Sequence, residues 1–180
     1  MNRAFVYSKD KGRICLGEHL FEGQRRLITE IFDALEDDVH EIYVLKSRQL
    51  GISTLIRALT IFLLGIHKGL KGAIVFDSDG NKNQARTELE VMIKDLPKSL
   101  KFPPIKASNR VGLSLSNDSE VLFMSAGTRK SKTSGTLGRS VGLTIAHLSE
   151  ICSFDNPEGL EAFEQSLSEI HPDRLYIYES

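Results

Sequence analysis

The run Lys46-Ser47-Arg48-Gln49-Leu50-Gly51-Ile52-Ser53-Thr54 combines residue types suited to holding phosphate. In a phosphate-binding loop of pattern G-x-x-x-x-G-K-[ST], backbone N–H groups and a helix N-terminus wrap the phosphates, a lysine reaches the outer ones, and a hydroxyl binds Mg²⁺. Gly51 and Ser53 occupy the second-glycine and hydroxyl positions, whereas Ile52 stands where the lysine belongs and Lys46 where the first glycine belongs. Such a loop doubles back over the phosphates, so a long side chain on its first residue places an ammonium near the same oxygens. The charge is then relocated, not lost. The loop alone leaves a second reading open, an ordinary turn with solvated Lys46 and Arg48.

This loop needs a strand before it and a helix after it, and both are legible. Glu41 to Lys46 is a short apolar burst, and from Ser53 to His67 the residues Leu55, Ile56, Leu59, Phe62 and Leu63 recur at helical spacing. Upstream, Leu27, Ile28, Ile31, Phe32 and Leu35 define an amphipathic helix over Gln24 to Glu36. Downstream, Ala73 to Phe76 reads as a buried strand, and Asn81 to Leu96 as a helix stopped by Pro97. Alternation around Asn117-Asp118 between Gly112 and Ser125 predicts a hairpin. A strand over Leu143 to Leu148, a helix over Pro157 to Ser168 and a strand over Arg174 to Tyr178 follow. Alternating strands and helices imply an α/β fold with a mainly parallel sheet.

The 180 residues are enough for one domain, 1–180, with a substantial core at 41% hydrophobic content. A net charge of −1 gives no global reason to expect nucleic acid, so any such contact must be local. Cys15 and Cys152 are the only cysteines, and with five scattered histidines they form neither a zinc spacing nor a disulfide framework. The apolar stretch Leu59 to Ile66 is too short to span a membrane, and the N-terminus has no signal-peptide plan. A soluble, cytoplasmic protein is expected.

Gly127 to Gly142 is rich in Gly, Ser, Thr, Lys and Arg and reads as an exposed loop. Within it, Arg129, Lys130 and Lys132 suit contacts to a nucleic-acid backbone, although loop charges are more often simply solvated. His147 reads as a packed residue of its strand. Asp77 and Asp79 suit a turn and a helix cap.

Four segments together resemble the ATPase portion of terminase large subunits, the motors that package viral DNA. KSRQLGIST looks like that family's deviant phosphate loop, with its leading Lys and Arg-Gln pair. FEGQRRLI is similar to the upstream adenine-recognition motif. GTLGRSVGLTIAHLSEI resembles the Gly-Arg-Ser stretch leading into the Walker B strand, and RLYIYES the strand ending in Glu-Ser-Thr. The resemblance runs from about Phe21 to Ser180 with the motifs in order. Two departures stand out: Ile52 in the phosphate loop, and Ser149 in place of the first acid of the usual Asp-Glu pair.

The resemblance implies a P-loop NTPase of the ASCE type, a three-layer sandwich with an extra strand between the phosphate-loop strand and the Walker B strand. ATP and Mg²⁺ are the implied cofactors. Gln24 would pair with adenine; Lys46, Ser47, Arg48, Gln49, Leu50, Gly51, Ile52, Ser53 and Thr54 would surround the phosphates. Ser53 would ligate Mg²⁺, with Ser149 and Glu150 reaching it through water. Glu150 would be the general base and Arg48 would stabilise charge on the γ-phosphoryl group. Glu179 and Ser180 belong to the motif that couples hydrolysis to movement. Arg139 could act as a finger across a subunit boundary, contact DNA, or be a solvated loop residue. The chain stops within the coupling motif, which suggests a piece of a longer protein whose C-terminal nuclease domain lies elsewhere. Double-stranded DNA, a portal protein and a small terminase subunit are the implied partners. The working form would be a homo-oligomeric ring docked transiently on a procapsid in the host cytoplasm, the isolated piece a monomer. A superfamily 2-like helicase and a degenerate non-hydrolysing nucleotide-binding module are the alternatives.

Overall fold

The computed structural model describes residues 5–8, 12–47, 49–126, 142–155 and 157–180. Its strands are β1 (Phe5–Ser8), β2 (Gly12–Cys15), β3 (Glu41–Val44), β4 (Lys71–Phe76), β5 (Ile105–Ser108), β6 (Gly112–Leu115), β7 (Glu120–Ser125), β8 (Ile145–Ser149) and β9 (Leu175–Glu179). The helices are α1 (Glu22–Glu36), α2 (Ile52–Ile66), α3 (Asp79–Lys94) and α4 (Pro157–Glu164).

Seven strands form one sheet in the order β3-β9-β8-β4-β7-β6-β5. The five from β3 to β7 are parallel, and β6 and β5 extend them antiparallel. The fold class expected from sequence is therefore the one found, including β9 between the loop-bearing strand β3 and β8. Every residue of β8 and β9 is buried, as parallel strands covered on both faces must be.

Alternation along each strand divides the core into two layers. Ile74, Phe76, Ile145, Leu175 and Ile177 pack with Ile31 of α1, Leu55 and Leu59 of α2, and Leu89 of α3. Ala73, Val75, Ala146, Tyr176 and Tyr178 face the opposite way, against Phe163 of α4. Burial of a Leu or Phe side chain contributes about 1.5–3 kcal/mol, so these two layers dominate the folding energy.

Helix α2 is apolar almost all round and lies between sheet and neighbouring helices; its one formal charge is Arg57. Its C-terminal carbonyls are met from outside the helix. Asn117, in the predicted β6–β7 turn, donates from Nδ2 to Leu64 O and His67 O, both at 2.8 Å. The turn thus fixes the far end of α2 as well as reversing the chain.

Three elements differ from expectation. The β1–β2 hairpin lies upstream of every element expected from sequence, and it docks at the end of α3 through an Arg13–Asp95 ion pair of 2.9 Å. Strand β5, exposed along most of its length, carries too weak an alternation to register. The helix expected to reach Ser168 ends at Glu164, where the chain turns to let Leu143 bridge Leu167.

Candidate nucleotide site

The site forms where β3, β9 and β8 end. Strand β3 leads to α2 on one face of the sheet, while β8 leads to α4 on the other. Chains that diverge to opposite faces leave a crevice at the carboxyl ends of the strands, the usual ligand position in open α/β sheets.

Sequence folds the loop locally through two left-handed residues, Gln49 (φ 68°) and Gly51 (φ 64°). A Cβ on Gly51 would also lie 2.8 Å from Gln24 Nε2, so a larger residue would push that amide aside as well as strain the backbone. The first intrahelical bond runs from Leu55 N to Gly51 O. The N–H groups of Ile52, Ser53 and Thr54 therefore have no carbonyl within the helix, and they carry the positive end of its dipole.

Lys46 lies two residues beyond the β3 ladder strand, yet its N–H still pairs with Ser180 O at 2.9 Å. That bond fixes where its side chain starts. Nζ sits 2.9 Å from Glu150 Oε1 and 3.1 Å from Glu179 Oε1, with the lysine side chain only 9% exposed. Burial opposes the charged amine, but bonds to both carboxylates outweigh it and raise its pKa.

Glu150 follows β8 in the left-handed region, φ 60° and ψ 47°. A non-glycine residue there is strained by about 1–3 kcal/mol. The turn holds it by a Ser153 N to Glu150 O bond of 2.9 Å and directs its half-exposed carboxylate at Lys46.

Glu179 is the most enclosed of these groups, with a side chain 0% exposed. Its Oε1 accepts from Ser53 Oγ at 2.5 Å and from Lys46, and its Oε2 lies 2.6 Å from His147 Nε2. Burial would raise its pKa, but the donors from His147, Ser53 and Lys46 prevail and hold it down to about 2. Burial pushes the fully buried His147 the other way, toward the neutral imidazole. The ring then donates Nε2–H to Glu179, leaving Nδ1 without a hydrogen-bond partner.

Gln24, expected to meet adenine, is buried and tied into the chain. Its Oε1 accepts from Phe21 N at 3.0 Å, capping α1, and its Nε2 donates to Gly51 O at 3.0 Å. It thereby joins the start of α1 to the loop that precedes α2. Ser149 is buried beside Glu179, the two being register partners of β8 and β9. Arg48, Arg129, Lys130, Lys132 and Arg139 lie outside the described residues. Asp77 and Asp79 lie at the start of α3, where Asp77 accepts from Asn81 and Asp79 from Ser125 and Lys82, but the cap of α3 is Ser78 and neither aspartate.

Sequence reasoning missed Arg57. Its guanidinium bonds Thr54 Oγ1 at 3.3 Å and Glu88 Oε2 at 3.1 Å, bracing the first turn of α2 against α3. A lone charge in an apolar helix was the available signal.

Among the described residues there is no group of three or more His, Cys, Asp or Glu side chains able to cage a metal. Mg²⁺ in phosphate sites takes one or two protein oxygens and fills its shell with phosphate and water. The Ser53 hydroxyl beside a buried carboxylate meets that requirement. No described helix is long and apolar enough to cross a membrane.

A cleft of about 560 Å³ opens elsewhere, on the α4 face toward the start of β3 and β9. Asp38, Glu41, Glu164 and Glu169 line it against a single Arg174, the wrong charge for phosphate.

Neither a protein-family model nor a curated protein sequence matches the chain significantly. Solved structures do. The HK97 bacteriophage large terminase superposes with a TM-score of 0.75 at 18% identity, over 99% of this chain and 36% of that one. The ATPase domain of the Thermus phage P74-26 large terminase gives 0.62 at 18% identity, over 83% of this chain and 63% of that one. The chain thus spans little more than a third of the HK97 protein, and its fold is that of a phage large-terminase ATPase domain.

Proposed function

We propose that this chain is the ATP-hydrolysing part of a viral DNA-packaging terminase. The observation that carries the reading is the position of Lys46 Nζ, 2.9 Å from Glu150 and 3.1 Å from Glu179, at the mouth of a glycine-bearing strand-to-helix loop. The amine that the loop pattern lacks at Ile52 is supplied from the loop's first residue.

On this reading, the N–H groups at the start of α2, which have no carbonyl within the helix, cradle the phosphates, and Lys46 leaves its two carboxylates to meet the outer oxygens. Glu150, released from the ion pair, accepts the proton of the attacking water. Thr54 and the amides from Ser47 to Ser53 complete the cradle, and Arg48 offsets charge at the γ-phosphoryl group. Gln24 retains one amide hydrogen and one lone pair, the complement of an adenine edge. When bound, Mg²⁺ neutralises developing charge on the phosphates. Loss of the γ-phosphate returns Lys46 to Glu150 and Glu179, and through Glu179 and Ser180 the change reaches the end of β9.

Double-stranded DNA is the proposed substrate of movement, with a portal protein, a small terminase subunit and further copies of the chain as partners. A nearly neutral subunit grips a polyanion weakly, so a ring that sums several weak contacts suits this composition. The test is Mg²⁺-dependent release of phosphate from ATP by the wild type, Lys46→Ala and Glu150→Gln. Turnover in the wild type and its loss in both variants is expected. Undiminished turnover in Lys46→Ala would show the relocated amine to be wrong.

A further inference from the structure

The second departure, Ser149, also has its replacement in the structure. In P-loop enzymes the Walker B aspartate holds Mg²⁺ together with the loop hydroxyl. Ser149 carries no charge and could reach the metal only weakly or through water. Its partner across the β8–β9 ladder is Glu179. Residues aligned in a parallel pair project from the same face of the sheet, with the strands about 4.8 Å apart. A carboxylate on Glu179 therefore faces the same crevice as one on residue 149 would, one strand nearer to Lys46.

We infer that Glu179 has taken over the metal-organising role of the Walker B aspartate, so that this site holds Mg²⁺ through Ser53 and a carboxylate borne by β9 instead of β8. The inference rests on the ATPase reading and adds to it the identity of the metal-side carboxylate.

Three contacts support it. Ser53, the hydroxyl at the Mg²⁺ position of the loop, already donates to Glu179 Oε1 at 2.5 Å. The ammonium of Lys46 lies 3.1 Å from that same oxygen, so a cation sits where the metal charge belongs. His147 fixes the other oxygen at 2.6 Å, leaving Oε1 as the one presented to the loop. A merely structural role accounts poorly for these facts, because a buried ion pair is weak evidence of stabilisation and an apolar residue often serves as well. The arrangement also explains how one lysine serves two states. Without nucleotide it neutralises Glu179, and when it moves to the phosphates Mg²⁺ replaces it.

The test measures affinity for the non-hydrolysable analogue adenosine 5′-(β,γ-imido)triphosphate by calorimetry, with Mg²⁺ and with EDTA. Mn²⁺ resonance spectra in the presence of the same analogue report the metal directly. Wild type should bind more tightly with Mg²⁺. Glu179→Gln should lose about 10- to 100-fold of that enhancement, while binding in EDTA becomes tighter because a negative charge has left the phosphate site. Ser149→Ala should lose little of it, and Ser149→Asp combined with Glu179→Gln should recover it by returning the carboxylate to β8. Circular dichroism checks that each variant folds, and if Glu179→Gln does not, Ser149→Ala decides the matter. Full enhancement in folded Glu179→Gln, or its collapse in Ser149→Ala, overturns the assignment and leaves the ATPase reading standing. Failure of the wild type to bind the analogue in either condition overturns both.

Discussion

Lys46 and Glu150, 104 positions apart in the chain, meet in an ion pair of 2.9 Å, and the same ammonium lies 3.1 Å from Glu179. The lysine is thus the only described cation joining the phosphate loop to both acids. On the ATPase reading, Lys46→Ala removes the amine proposed to meet nucleotide, and it leaves Glu179 buried with one donor fewer. Nucleotide affinity should fall at least about tenfold, and stability should fall by about 3 kcal/mol, the lower end for breaking a buried pair. Calorimetric titration with ATP and urea denaturation measure the two effects. A variant as stable and as tight as wild type would mean that the ammonium does neither task.

Glu150→Gln separates binding from chemistry. The amide keeps the size of the side chain and its left-handed turn but cannot take a proton from water, so turnover should fall by about 10²- to 10⁴-fold. Binding should persist, and even tighten, because the ion pair that nucleotide must break at Lys46 is weakened. Parallel titration and single-turnover hydrolysis would show this split. Equal losses in both would make Glu150 a structural residue.

How much of this was legible in sequence follows from the range of each interaction. The phosphate loop, its strand and α2 are contiguous, and their period and punctuation show them. Lys46 stood out because Ile52 occupies its expected place. The Asn117-Asp118 turn was visible, but its grip on Leu64 and His67 was not, since nothing local marks a bond across 50 residues or more. His147 shows the same limit, an unexceptional residue on its own strand; Glu179 stood out through the coupling motif, but only the β8–β9 register shows that it meets His147 and Ser53.

Gly51→Ala tests whether Gln24 holds the loop. The new methyl would sit 2.8 Å from Gln24 Nε2 and impose a left-handed conformation on a residue with a Cβ. Stability should fall by about 1–2 kcal/mol from the backbone alone. Gln24→Ala, which leaves the glycine intact, should lower nucleotide affinity through the lost bond to Gly51 O. If Gln24→Ala binds nucleotide normally, the tie is only a helix cap for α1.

His147 should make the protein sensitive to mild acid. Its ring is fully buried and its pKa lies below the ordinary value of 6.5. The unfolded chain therefore takes up this proton before the folded one. Stability is fully present above about pH 6.5 and declines as pH falls toward the folded pKa, with a slope of at most about 1.4 kcal/mol per pH unit. Glu179 has the same sign in a lower window, because its carboxyl is held at about 2 against an ordinary 4.5. Its contribution is intact above about pH 4.5 and is lost only in stronger acid. His147→Gln keeps a donor for Glu179 and removes the titrating ring. Urea midpoints at about pH 7.5 and pH 5.5 should therefore diverge in wild type and nearly coincide in the variant. The same divergence in both would place the acid-sensitive group elsewhere.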